Sequence, residues 1–126
     1  MTIRPPAQID WLVAAVGADA AFRFIECAGG RRVWVPRKWE GSDLAAVYGD
    51  DIAKTLSHHF GGEQIDVPIC RPWRILMCRQ MGLSVDDIAA RTGTDRSTVK
   101  KALARGPHIP APRKAWQTDP GQLSLL

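Results

Sequence analysis

What this chain of 126 residues lacks already narrows its function. It has no apolar run of about 18 residues, the length a helix needs to span a bilayer. Its first residues, MTIRPPAQIDWLVAAVG, hold one arginine and a short apolar patch broken by Asp10. The long apolar core of a secretory signal is missing, so a cytoplasmic location is expected. Cysteine is scarce: Cys27, Cys70 and Cys78 form neither a disulfide framework nor a CxxC zinc pair, and they suit a reducing compartment. His58 and His59 are adjacent, so on a helix they point about 100° apart. No pair among them and the cysteines has a familiar ligand spacing, so no metal site is expected. A nucleophile elbow, a phosphate-binding glycine loop and a plausible carboxylate pair are also missing. The chain therefore reads as a non-enzyme with no cofactor.

What is present is unevenly charged. Hydrophobic content of 45% and charged content of 24% are ordinary for a globular protein. From Met1 to Cys70 seven basic residues face nine acidic ones, whereas from Arg71 to Lys114 ten basic residues face three acidic ones. The second part is thereby suited to a polyanion, or else has a solvated basic surface, while the first part does something else.

The first part is written twice. At an offset of 32 residues, Asp10–Pro36 matches Ser42–Pro68 at nine of 27 positions, among them Gly17/Gly49, Ala21/Ala53, Gly29/Gly61, Gly30/Gly62 and Pro36/Pro68. Each copy predicts a short apolar turn, a helix starting near an acidic residue, a Gly-Gly stop in the left-handed conformation, and a short strand closed by proline. Apolar residues recur at helical spacing, Phe24, Ile25 and Ala28 in one copy and Ile52, Ala53 and Leu56 in the other. Val33 and Val35, or Ile65 and Val67, supply the alternation of a half-buried strand. Two short strands are marginal in water and exposed edges seek partners, so residues 1–70 are expected to form a dimerisation domain completed by a second copy of the chain. The alternative is a duplication that closes on itself within one monomer.

Three helical segments follow, Trp73–Met81, Ser84–Thr92 and Asp95–Arg105, making residues 71–105 a helix-turn-helix DNA-binding domain. The stretch LSVDDIAARTGTDRSTVKKAL (Leu83–Leu103) carries the signal. Ser84 can cap the second helix, Gly93 permits the tight turn, and Asp95 or Thr94 can cap the third. Ile88, Ala89, Val99, Ala102 and Leu103 fall on inward faces. Arg96, Ser97, Thr98, Lys100, Lys101 and Arg105 fall outward. Arg96 suits a guanine edge or a phosphate, the short Ser97 and Thr98 let the backbone approach, and Lys100, Lys101 and Arg105 suit phosphates. Thr94 stands where an aliphatic residue would pack better. The fold class expected is mainly α with a small β element: an N-terminal helix and strand dimerisation domain, then the helix-turn-helix.

Taken in order, YGDDIAKTLSHHFGGEQIDVP and MGLSVDDIAARTGTDRSTVKKAL resemble the Mor transcription activator family of Mu-like phages (middle-gene activators) over roughly Asp10 to Leu103. The resemblance implies an N-terminal homodimerisation domain with an intersubunit strand, falling here on Gln64, Ile65, Asp66 and Val67. It also implies a C-terminal helix-turn-helix reading double-stranded DNA through Arg96, Ser97, Lys100 and Lys101. Activation of phage promoters through host RNA polymerase is likewise what the resemblance implies.

Two stretches fall outside this reading. RRVWVPRKW (Arg31–Trp39) interleaves four basic residues with Trp34 and Trp39, as a second nucleic-acid contact would, or as a strand and loop whose tryptophans complete the core. The proline-rich residues 106–126 read as a flexible tail. Its end, Gln122, Leu123, Ser124, Leu125 and Leu126, resembles the peptide by which bacterial replication and repair proteins dock on the sliding clamp. That end supports a competing reading, a phage-encoded protein-interaction module acting on a host machine.

Overall fold

The computed structural model describes residues 3–107, which leaves the clamp-like peptide Gln122–Leu126 and the rest of the tail from His108 outside the described residues. In chain order the elements are α1 (Asp10–Val16), α2 (Ala18–Ala28), β1 (Arg32–Val35), α3 (Asp43–Tyr48), α4 (Asp50–Phe60), β2 (Glu63–Asp66), α5 (Arg71–Gln80), α6 (Val85–Thr92) and α7 (Arg96–Arg105). The architecture is mainly helical with one two-stranded sheet, as expected. The chain divides into two compact units at Arg74–Ile75. That division falls inside α5, and within the first unit Trp73 packs edge-on against Phe22 of α2, with ring centroids 6.0 Å apart.

In the first unit the duplication is realised element by element. Gly17 and Gly49 break each copy into a short helix and a longer one, in matching conformations (φ 90° and ψ 159°; φ 96° and ψ 159°). The longer helices bury Ala21, Phe22, Phe24, Ile25 and Ala28 in one copy and Ile52, Ala53 and Leu56 in the other. These side chains and Ile9, Leu12 and Val35 form the core. Of each glycine pair, only the second is left-handed: Gly30 has φ 81° and Gly62 φ 86°. The first is needed for close approach. A Cβ on Gly29 would stand 2.6 Å from the Ile25 carbonyl oxygen and 3.2 Å from that of Pro68. One on Gly61 would stand 2.7 Å from the Ser57 carbonyl oxygen and 3.2 Å from the Arg37 Cα.

The strands pair with each other, antiparallel, with Arg32 opposite Asp66, Val33 opposite Ile65, Trp34 opposite Gln64 and Val35 opposite Glu63. The strand expected to meet a second chain, Gln64, Ile65, Asp66 and Val67, thus lies against β1 of its own chain. The physical need was real, since a four-residue strand has too few contacts alone. The duplication supplies the matching edge on the same chain, at the high effective concentration of a tether. Strand alternation turns Val33, Val35, Ile65 and Val67 towards the helices, wholly or partly buried. Arg32, Trp34, Gln64 and Asp66 stay exposed on the other face.

The second unit holds most of α5 and all of α6 and α7. Helix α5 begins two residues before its expected start, with Pro72 in its first turn, where a proline costs no hydrogen bond. The Ser84 hydroxyl accepts from the Asp87 amide at 3.2 Å and so starts α6. Gly93, at φ 70°, ends that helix in the left-handed conformation. Ile88 and Val99 are fully buried. Ala89 is nearly so, which lets α6 and α7 cross closely. Ala102 and Leu103 are only half-buried. The end of α7 lies so close to α5 that a Cβ on Gly106 would meet a Leu76 methyl at 2.6 Å.

Candidate nucleic-acid interface

Helix α7 is set by its first turn. The Asp95 carboxylate accepts from the Thr98 amide at 2.7 Å, satisfying one of the donors a helix N-terminus leaves open. With Val99 turned inward, Arg96, Ser97, Thr98, Lys100, Lys101 and Arg105 are all exposed. Arg96, Lys100 and the residues one turn beyond them share a face at the i, i+4 spacing. The site residues expected from the sequence thus lie together on one short helix whose opposite side is core.

The Thr98 amide, and after it the Thr98 side chain, hold the Asp95 carboxyl below its ordinary value, and Lys101 adds to the effect. A carboxyl lowered in the folded state contributes stability that is full above its unfolded pKa and is lost as pH falls through the folded one. Melting followed from neutral pH into the acid range should show this. The Asp95→Asn variant, which keeps an accepting oxygen without a titrating charge, should lose less melting temperature on acidification than the parent. Parallel curves would remove Asp95 from the acid response.

The turn brings in one residue that sequence spacing did not single out. The Arg96 guanidinium donates to the Asp86 carboxylate at 2.6 Å, with both side chains more than half exposed. Ten residues separate the two, so no periodicity within a single helix signals the pair; only the angle between α6 and α7 makes it. Thr92 also went unnoticed: it is buried, and its hydroxyl returns to the Ile88 carbonyl at 2.7 Å, which makes a polar side chain acceptable there. Thr94 is half-buried, and its amide donates to the Ala89 carbonyl at 3.0 Å as part of the turn. Arg79 braces the preceding turn by donating to the Leu83 carbonyl at 3.1 Å.

In the first unit the Arg31–Trp39 stretch is part buried and part exposed. Val33 and Val35 face the core, Trp39 is half-buried and Trp34 is 56% exposed. Arg32 pairs with Asp66 at 3.2 Å across the strands. Arg37 lines a groove of about 810 Å³ together with Trp39, Lys54, His58 and His59. Among the described residues no group of three or more His, Cys, Asp or Glu side chains could hold a metal. No helix among them is long and apolar enough to cross a membrane.

Three helices ending in an exposed basic helix, with a left-handed glycine between the last two, define the second unit as a helix-turn-helix, a DNA-binding module of transcription proteins. Residues 75–106 match the family described as sigma-70, region 4. The match begins at the division between the two units and ends at Gly106. No curated protein and no solved structure matches the chain.

Proposed function

We propose that this protein is a transcription regulator that binds duplex DNA through α7 and acts on RNA polymerase at the promoter it occupies. The observation that carries the proposal is the sigma-70 region 4 match, laid over a helix whose outward residues are Arg96, Ser97, Thr98, Lys100, Lys101 and Arg105. In this reading Arg96 reads a base edge while Lys100, Lys101 and Arg105 meet phosphates. Arg96 exchanges Asp86 for its DNA partner at small cost, since exposed ion pairs contribute little. The activating role and the phage setting rest on the resemblance to the Mor family, in which a helix and strand unit precedes the helix-turn-helix. Because β1 completes the sheet with β2 inside one chain, the proposal does not require homodimerisation through Gln64–Val67.

Selection from random duplexes by the purified protein tests the reading. A recovered consensus, bound at least about a thousandfold more tightly than unrelated DNA at moderate salt, is the expected result. Equal retention of all duplexes would reduce the role of α7 to non-specific charge. A run-off transcription assay on a promoter carrying the consensus then distinguishes activation from repression.

A further inference from the structure

The first unit has the symmetry of a dimer while being one chain. With residue i set equivalent to residue i + 32, the pair Val33 and Ile65 maps onto itself, so equivalent residues face each other where a two-fold axis would pass. Arg32 opposite Asp66 then maps onto Gln64 opposite Trp34. The hydrogen bonds at the sheet ends obey the same rule: Gly30 N–H to the Val67 carbonyl at 2.8 Å has its counterpart in Gly62 N–H to the Val35 carbonyl at 2.7 Å. The close approaches obey it as well, since Gly29 meets Ile69 and Gly61 meets Arg37. Helices α2 and α4 begin and end at equivalent residues. Nine identities in 27 thus accompany a two-fold relation in backbone conformation and strand register, while the helices pack less evenly, α1 lying closer to α4 than the equivalent α3 does to α2.

The symmetry is broken further where the chain leaves for the helix-turn-helix. In the second copy the strand is followed by α5, whose Trp73 covers Phe22 of α2. In the first copy the strand is followed by Arg37, Lys38 and Trp39 and then by α3. The position equivalent to Trp73 is Gly41, and the position equivalent to Phe22 is Lys54, which is exposed. One copy therefore carries a reading head, and the other has exchanged the apolar seat beneath it for a charge.

We propose that residues 10–68 are a dimer folded from a single chain, so that the protein recognises one unrepeated DNA half-site with one copy of α7. Resting on the DNA-binding reading above, this departs from the two-headed geometry usual for helix-turn-helix dimers, whose half-sites lie one helical turn apart. The sheet is completed by the two strands of one chain, and the second half of the two-fold frame has no head to place.

Two measurements test it. Sedimentation of the parent protein should give the single-chain mass of 13.9 kDa, free and as a one-to-one complex with a selected duplex. In a Cys27→Ser background, Trp34→Cys with Gln64→Cys places two thiols opposite each other on the exposed face of the sheet. Antiparallel neighbours lie within disulfide reach. Mild oxidation should give a bond, located by peptide mapping, that leaves every molecule at single-chain mass. A bond linking two chains, no bond between these positions, or a selected site with two inverted half-sites would each overturn the proposal. If no duplex is selected, the DNA reading fails, and the mass and the disulfide still decide whether the chain is its own dimer.

Discussion

Phe22→Ala is expected to destabilise the first unit by about 3–5 kcal/mol, while Lys54→Ala at the equivalent position of the other copy should change stability by no more than about 0.5 kcal/mol. Phe22 is fully buried, and its ring meets Trp73 edge-on. Truncation removes the transfer free energy of the ring and leaves a cavity that the surrounding helices cannot fill without moving. For a unit of this size each kcal/mol is worth about 4–8 °C in melting temperature, so the two variants should separate clearly in a thermal scan. A loss of that size is a large part of the stability of an ordinary small domain, about 5–15 kcal/mol. Should Phe22→Ala fail to fold, Phe22→Leu keeps most of the volume and should fall between it and the parent. Equal effects at Phe22 and Lys54 would mean that the two copies bury their long helices alike, contrary to the asymmetry described above.

The second large effect is expected on DNA. Arg96→Ala should cost about 1–3 kcal/mol at the preferred site and relax the choice of base at one position, while leaving binding to unrelated duplexes nearly as it was. Lys101→Ala should do the opposite: it weakens all sequences together and lowers the slope of log K against log salt by about one. The difference follows from position. Arg96 stands in the first turn of α7, held by Asp86, where a helix end meets base edges. Lys101 lies further along, exposed and next to the capping Asp95 in charge rather than in hydrogen bonding. Titrations of both variants across a range of salt, on the consensus and on scrambled DNA, separate the two roles. If Arg96→Ala lost affinity uniformly, Arg96 would be one more phosphate contact and base reading would lie elsewhere on α7.

Much of the candidate site was legible because it depends on local rules. The caps at Ser84 and Asp95, the turn at Gly93 and the inward Ile88 and Val99 each follow from residues within a few positions of one another. Such spacings carry their geometry with them. The Asp86–Arg96 pair and the buried Thr92 were not legible. The pair requires the angle between two helices, and a threonine mid-helix is usually taken as a polar surface residue until its hydroxyl is seen returning to the carbonyl four residues before it. The Gly-Gly pairs were half legible: one left-handed residue was expected of each, but not that the other glycine makes room for a second segment of backbone.

The sequence by itself determined the duplication, the placement of helices and strands, the helix-turn-helix and the outward basic face of α7. These are matters of periodicity, capping and chain conformation, which neighbouring residues decide among themselves. Only the tertiary structure decided which edge β2 pairs with. A strand of alternating apolar residues specifies its buried face but not the identity of its partner, and the same hydrogen bonds form within a chain or between chains. The choice rests on which matching edge lies nearest, and here the tether between the two copies holds β1 beside β2.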